Sequence, residues 1–223
     1  MNLSVDIDRL MGELDHLARI SDSLPPAVTR VLFTDTDLRA RQFLKGVCTT
    51  AGLRVRVDAI GNVFARWDGS EPGLPAVGTG SHIDAIPHSG RYDGTVGVFG
   101  GVEAIRALKA AGVQPRRSIE LLTFTSEEPT RFGVGCVGSR ALSGALAAEK
   151  LAELRDADGR RLDDVRQEIG LGGPLADVRL DRDHYAAFVE LHIEQGPILE
   201  RESVPIGIVT AIAAPAALRV RIE

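Results

Sequence analysis

Hydrophobic and polar positions follow two different rhythms along the chain. Near the start, apolar residues recur every three or four positions, which predicts two helices, at residues 7–18 and 37–51. Leu53, Val55 and Val57 then alternate with charged residues, which predicts a strand with one solvated face. The Gly-Asn turn that follows leads into a second strand at residues 63–67.

Strands and helices alternate through the rest of the chain. The pattern predicts strands at residues 76–81, 119–125 and 185–193, and helices at residues 95–111 and 143–154. Such an order is typical of an α/β protein in which helices cover a largely parallel or mixed central sheet.

Three further stretches complete the pattern. The charged residues 156–183 are expected to form a surface excursion. Two more strands are predicted at residues 206–213 and 216–222. The last of them stops in mid-pattern at Glu223, so we expect the natural protein to continue beyond this residue.

Composition excludes several classes of protein. The 223 residues are 44% hydrophobic and 26% charged, which is ordinary for a globular protein, and the net charge of −5 is unlike a nucleic-acid binder. The longest apolar run, residues 204–218, is interrupted by two prolines and is too short to span a membrane. Two cysteines and the absence of a secretory signal favour a reducing, cytoplasmic location.

Residues that bind metals or move protons follow three of the predicted strands. His82 and Asp84 come at the end of the first, where alternation places their side chains on one side. Strand ends of an open α/β sheet form a common edge, so we expect the residues there to converge. The other candidates are Asp93, the pair Glu127 and Glu128, and His192.

Each candidate also has a plainer interpretation. Taken singly, a His or Asp at a strand end is usually a cap or a satisfied polar group, and a Glu-Glu pair is usually solvated. Their convergence from three strands favours a hydrolytic metal site. The nitrogen and oxygen ligands suit Zn, Mn, Co or Ni and argue against Fe–S or Cu(I). Gly94, Gly97, Gly100 and Gly101 resemble a phosphate-binding spacing, but close packing is the favoured explanation.

Three segments resemble a known family: GSHIDAIPHSGRYDGTVGVFGG, FTSEEPTRFG and ELHIEQGPILE. They are similar to the aminoacylase-type metallopeptidases, and within them to the amidohydrolase branch. That branch comprises N-carbamoyl-L-amino-acid hydrolases, allantoate amidohydrolases and ureidoglycolate amidohydrolases. The Glu-Pro-Thr-Arg segment ending at Arg131 and the segment 209–215 look most like the ureidoglycolate enzymes.

The resemblance implies a three-layer sandwich with a mixed central sheet, an aminopeptidase-like catalytic domain, and two divalent metal ions, Mn or Zn. It implies that one carboxylate bridges the ions and that a neighbouring glutamate is the general base. By matching position, Asp93 would bridge the two ions, His82 and His192 would complete the ligands of one ion, and Glu128 would bind the other. Glu127 would be the general base, and Asp84 would orient His82. Gln195 would touch the substrate, and Arg131 would lie near it.

The chain also departs from the family pattern, because members are roughly twice as long. We therefore expect residues 1–215 to be the N-terminal part of the catalytic domain and residues 216–223 to begin an otherwise missing lid domain. The resemblance implies a homodimer when full length, and a late histidine that is absent here. The expected substrate is a small ureido compound, ureidoglycolate first, with allantoate or an N-carbamoyl amino acid as the alternative.

Two other functions remain open on the sequence. One is a non-catalytic metal-binding module that uses this fold to bind a partner, which is distinct from our expectation that the partial catalytic domain is inactive, or nearly so, alone. The other is a peptidase or deacylase of the same clan, which His192 disfavours because peptidases usually carry an acidic ligand there. His88 is a further candidate for a place near the metals, and Cys136 is expected to pack rather than to act as a nucleophile.

Overall fold

A computed structural model of the chain describes residues 3–212. These residues belong to two compact units, one ending at Ile193 and the other beginning at Glu194. The helices and strands of the described residues are, in order, α1 (Ile7–Arg19), β1 (Val28–Arg30), α2 (Asp35–Thr50), β2 (Arg54–Val57), β3 (Val63–Trp67), β4 (Ala76–His82), β5 (Ala85–Ser89), α3 (Thr95–Ala110), β6 (Ile119–Phe124), α4 (Val137–Ser143), α5 (Ala148–Glu153), α6 (Leu162–Glu168), β7 (Tyr185–Val189) and α7 (Ile198–Arg201).

The central sheet is mixed, as the sequence predicts. Within residues 3–212, its five strands lie in the order β2-β3-β6-β4-β7. The pairs β2–β3 and β3–β6 are antiparallel, whereas β4 runs parallel to both of its neighbours, β6 and β7. The strand that carries the first histidine motif therefore lies between the two strands that precede the other motifs.

Helices cover both faces of this sheet. Adjacent residues on β3 and β6 point to opposite faces, because side chains alternate along a strand. Ala65 and Leu121 pack in a cluster with residues of α1, α2 and α3. Phe64 and Leu122 pack in a second cluster with residues of α4, α5 and α6. The three-layer arrangement is thereby confirmed, with one hydrophobic core on each side of the sheet.

The first two helices begin with side-chain caps. Asp6 accepts a hydrogen bond from the Arg9 amide at 3.0 Å, and Thr34 accepts one from the Asp37 amide at 3.3 Å. Each cap satisfies an amide that has no partner within its own helix. Helix α2 itself begins two residues earlier than the sequence predicts. Gly52 follows α2 with φ of +71°, the left-handed conformation that ends many helices.

Three predictions from the pattern are wrong. The helix expected at residues 143–154 is replaced by α4 and α5, because Gly144 adopts φ of +76° and ends α4. The stretch 156–183 is more than a surface excursion, since its helix α6 buries Leu162 and Val165 in the second cluster. Residues 206–212 form no strand, and their large apolar side chains are exposed.

A period-two pattern produces a strand only where a neighbouring strand can pair with it, and none of the described strands pairs with residues 206–212. The strand predicted at 216–222 and the domain boundary predicted at residue 215 lie outside the described residues. The expectation of two domains divided there is therefore untested.

The structure adds a small sheet that the pattern did not predict. Strands β1 and β5 pair antiparallel, with Arg30 opposite Ala85. Both strands are short, which explains why no alternation marks them. The pair is important for the site because β5 begins immediately after Asp84. No helix among residues 3–212 has the length and apolar character needed to cross a membrane.

Candidate metal centre

The candidate residues meet at one edge of the sheet. Strands β6, β4 and β7 are parallel and adjacent, so their carboxyl ends lie side by side. His82 is the last residue of β4, Glu127 follows β6, and His192 follows β7. This is the edge at which sites form in open α/β sheets, and the expected convergence of the three strands is observed.

Three side chains come close enough to share one ion. Ligand atoms of His82, Asp93 and His192 all lie within 4.8 Å of one another, and the residues described by the structure contain no other such trio of His, Cys, Asp or Glu. The Oδ1 atom of Asp93 is 3.4 Å from Nε2 of His192 and 3.9 Å from Nε2 of His82. His82 is buried, and His192 is the most exposed of the three.

Hydrogen bonds determine which ring nitrogen of each histidine is available to bind a metal ion. Nδ1 of His82 lies 3.0 Å from the backbone oxygen of Asp84, and Nδ1 of His192 lies 2.7 Å from that of Ile193. A carbonyl oxygen only accepts, so both Nδ1 atoms must carry the proton. In a neutral imidazole, Nε2 is then the nitrogen with the free lone pair, and in both histidines this atom faces Asp93. Two neutral imidazoles and a carboxylate are a donor set that fits a divalent ion.

Asp84 links the strand ends to one another. Its buried carboxylate accepts hydrogen bonds from the amides of Glu128 at 3.0 Å and Glu127 at 3.3 Å. The carboxylate is 3.6 Å from Nδ1 of His82, farther than the backbone oxygen of the same residue. Burial raises the pKa of Asp84 to about 6. Asp84 therefore contacts His82 mainly through its backbone and contacts the glutamate pair through its side chain.

The two glutamates occupy different surroundings. Glu127 is partly exposed, with Oε2 3.6 Å from Nε2 of His82 and Oε1 3.5 Å from the thiol of Cys136, which donates to it. Glu128 is half-buried, and burial followed by the charge of Glu127 raises its pKa. Glu128 lies outside the group formed by the two histidines and Asp93. Its role as a ligand of a second ion remains a prediction.

Glycines let helix α3 approach the site closely. Gly94 has φ of +65°, and a Cβ atom added there would lie 2.4 Å from the His82 ring. An added Cβ at Gly97 would lie 2.5 Å from the Leu191 carbonyl, and those at Gly100 and Gly101 would crowd neighbouring side chains. The prediction that these glycines serve close packing is confirmed.

The two residues predicted to contact substrate belong to different units of the chain. Nε of Arg131 lies 3.1 Å from Asp156, and its Nη1 donates to the carbonyls of Leu32 and Phe33. These contacts anchor the loop after Glu128. Gln195 belongs to the unit that begins at Glu194, where it has a left-handed backbone with φ of +57°. Contact of either residue with substrate stays a prediction.

Sequence reasoning missed several contacts of the site. Ser81 donates a 2.6 Å hydrogen bond to Glu190, which ties the end of β4 to the segment after β7. In the sequence, this contact is indicated by the position of Ser81 beside His82. Cys136 has φ of +56° and contacts Glu127. The separation of these two residues in the sequence does not reveal the contact. His88 contacts Ser23 at 3.4 Å and is not part of the three-residue cluster.

The sequence range that contains all these groups matches a known family. Residues 78–223 match the profile of peptidase family M20/M25/M40. The chain belongs to this family. The matched range includes the two histidines, Asp93 and the glutamate pair.

Two curated relatives of the chain are named hydrolases. A ureidoglycolate hydrolase of Arabidopsis thaliana is 52% identical over 228 residues, covering 100% of this chain and 48% of the relative. An N-carbamoyl-L-amino-acid amidohydrolase of Paenarthrobacter aurescens is 39% identical, covering 97% of this chain and 52% of the relative.

A solved structure supports the same fold. The crystal structure of AtUAH in complex with glyoxylate is 50% identical, with a TM-score of 0.86 over 90% of this chain and 49% of that one. The chain thus spans about half the length of the curated relatives it matches.

Proposed function

We propose that the protein hydrolyses a C–N bond of a linear ureido compound, with ureidoglycolate as the first candidate substrate. The observation that carries this proposal is the convergence of His82, Asp93 and His192 beside the carboxylate of Glu127. Membership of a metallopeptidase family and the names of the relatives support the choice of reaction. The expected products are glyoxylate, ammonia and carbon dioxide.

Different sets of side chains would bind the two metal ions. His82, Asp93 and His192 would hold one divalent ion, and Asp93 and Glu128 would hold a second. Bound divalent ions supply Lewis acidity at the scissile carbonyl and lower the pKa of water. Mn and Zn both suit these ligands. The buried Asp84 keeps the strand ends in register by binding the amides of the glutamate pair.

Glu127 is the group that moves the proton. Its Oε2 atom faces the histidine cluster and its side chain is 38% exposed, so water and substrate can reach it. The carboxylate takes a proton from the attacking water as the C–O bond forms. It then delivers that proton to the leaving nitrogen as the C–N bond breaks. This cycle needs no nucleophilic Ser or Cys.

Substrate contacts and assembly follow from the same proposal. Gln195 would bind the ureido group and Arg131 would lie near the substrate. We further propose that residues 1–215 belong to the catalytic domain, that residues 216–223 begin a lid domain, and that the full-length protein is a cytoplasmic homodimer. Allantoate or an N-carbamoyl amino acid is the alternative substrate, in line with the Paenarthrobacter relative.

An ammonia-release assay tests the reaction. The full-length protein, loaded with Mn or Zn, is given ureidoglycolate, allantoate and an N-carbamoyl amino acid in separate reactions. We expect fastest release from ureidoglycolate. Glu127→Gln should lower kcat by about 10²–10⁴-fold, since that is the usual contribution of a general base. Glu149→Gln, on the exposed surface of α5, is the matched control and should leave kcat unchanged. Release from none of the three substrates would refute the proposal.

A metal-binding role without catalysis is the second candidate. It is favoured by one observation, that Glu128 lies outside the three-residue cluster, so the described residues assemble ligands for a single ion. Metal analysis of the desalted 223-residue chain separates the cases. About one ion per chain supports a single preformed site. Two ions per chain would mean that this stretch supplies the second site as well, and would favour catalysis by the chain itself.

A further inference from the structure

The side chain of Arg30 on β1 is buried beneath the metal centre. It is 1% exposed and ranks among the largest fully buried side chains of the described residues. Its guanidinium donates to three backbone carbonyls. Nη1 reaches the oxygen of Ile83, Nη2 reaches those of Leu17 at 2.7 Å and Ile20 at 2.9 Å, and Nε reaches Ile20 as well.

The partners of Arg30 are unusual for a buried cation. None of the described carboxylates lies within 4.0 Å of the guanidinium, so backbone oxygens alone compensate its charge at close range. Burial lowers the pKa of Arg30 to about 10, which reflects the cost of removing the cation from water. Two of the carbonyls belong to the end of α1, where a cation is favourable. The third carbonyl has no such explanation.

That third carbonyl belongs to the peptide between two site residues. Ile83 lies between His82, the last residue of β4, and Asp84. The backbone oxygen of Asp84 accepts Nδ1–H of His82, and its carboxylate accepts the amides of the glutamate pair. Fixing the Ile83 carbonyl therefore fixes the peptide plane that leads into Asp84, on which both sets of hydrogen bonds depend.

We propose that Arg30 is a positioning residue of the metal centre, acting through the Ile83 carbonyl to hold Asp84 and, through Asp84, the tautomer and orientation of His82. This inference rests on the proposed function, in which His82 is a metal ligand. Arg30 touches neither substrate nor metal. Its contribution is to keep Nδ1 of His82 bonded to the Asp84 carbonyl and Nε2 directed at Asp93. Partners that orient a metal-binding histidine are typically worth 10–100-fold in metal affinity.

The test compares Arg30→Met with a matched control, Arg166→Met. Arg166 is also buried and also donates to backbone carbonyls, those of Ala59 and Leu171, but it lies on α6, the helix that packs in the second cluster. Mn²⁺ dissociation constants are measured by titration of the full-length protein at a temperature where each variant is folded. In parallel, ¹⁵N NMR of the metal-free protein reports which nitrogen of His82 carries the proton.

We expect Arg30→Met to weaken Mn²⁺ binding by about 10–100-fold and to convert His82 to a mixture of tautomers. Arg166→Met should lower thermal stability without changing either readout. If Arg30→Met does not fold, Arg30→Lys serves instead. It retains the charge, but one ammonium group cannot reproduce the fork of donors, so we expect an intermediate loss of affinity.

The outcomes separate the two proposals. Wild-type affinity together with an unchanged His82 tautomer in the Arg30 variants would overturn the positioning role and leave the proposed function intact. Failure of the wild-type protein to bind Mn²⁺ or Zn²⁺ would overturn the proposed function. The tautomer measurement would still decide the role of Arg30, because it needs no metal.

Discussion

Replacing Gly94 by alanine should damage the metal centre more than the fold. Gly94 has φ of +65°, and an added Cβ would lie 2.4 Å from both Cδ2 and Nε2 of His82. Because ordinary carbon contacts begin near 3.4 Å, the ring must move by about 1 Å. With φ of +65° and ψ of −43°, the backbone lies outside the wells open to an L-residue and costs alanine about 1–3 kcal/mol, which for a chain of this size lowers Tm by about 2–12 °C.

The displaced ring is the larger effect on function. A shift of this size moves Nε2 of His82 away from Asp93 and strains its hydrogen bond to the Asp84 carbonyl. We expect metal affinity to fall by at least about 10-fold, as for loss of a supporting hydrogen bond at a metal-binding histidine. The assay is isothermal titration of the metal-free protein with Mn²⁺ and Zn²⁺, alongside calorimetric measurement of Tm.

Gly112→Ala is the matched control for this substitution. Gly112 also has a positive φ, of +72°, so alanine is strained there too, but no atom lies within 4 Å of the added Cβ. It should lower Tm and leave metal affinity unchanged. Undiminished affinity in Gly94→Ala would refute the placement of His82 in the metal centre. An equal loss of affinity in both variants would show that backbone strain, rather than contact with the ring, controls binding.

Two further predictions concern ionisable groups. Burial, aided by the charge of Glu127, raises the pKa of Cys136 to about 11, so the metal-free protein should react slowly with iodoacetamide at pH 8. Glu127→Gln should speed that alkylation, as followed by mass spectrometry, and equal rates would contradict the contact. At Glu103, burial opposes ionisation, but the hydrogen bond from Arg9 prevails and lowers the pKa below its usual value. The stability that this lowered pKa provides is present above the pKa of the unfolded carboxyl group and is lost as pH falls through the folded pKa. The Tm of Glu103→Gln should therefore vary less with pH than the Tm of the wild-type protein does between about pH 5 and pH 3.

Elements with a long periodic pattern were predicted closely from the sequence. Helices α1, α2 and α3 and strands β3, β4 and β6 lie within a few residues of their expected positions. Each has a repeated apolar face that neighbouring residues are enough to define. The strand ends were also informative, because parallel strands must place His82, Glu127 and His192 at one edge. The shared edge of His82, Glu127 and His192 could therefore be predicted from the strand directions, whereas Asp93, which lies between β5 and α3, could not.

Local pattern failed where partners distant in sequence decide the outcome. From the sequence, helix α6 resembles a charged surface segment. In the structure, its apolar side packs in the second cluster, against one face of the sheet. Nε2 of His184, just before β7, lies 2.8 Å from the buried carboxylate of Glu120 on β6, a contact that no local pattern indicates. Arg131 binds Asp156 and two carbonyls, contacts that no motif indicates, and its expected place near the substrate stays a prediction.

The sequence by itself determined the class of the fold, the family and the residues that can bind metal. Periodicity and residue chemistry are local properties, readable without knowing what lies beside them. The tertiary structure decided that β4 lies between β6 and β7, that Nε2 of each histidine faces Asp93, and that Arg30 donates to the Ile83 carbonyl. The strand pairing and the Arg30 contact are hydrogen bonds between segments far apart in the chain, and such bonds are selected by burial, where every polar group must find a partner.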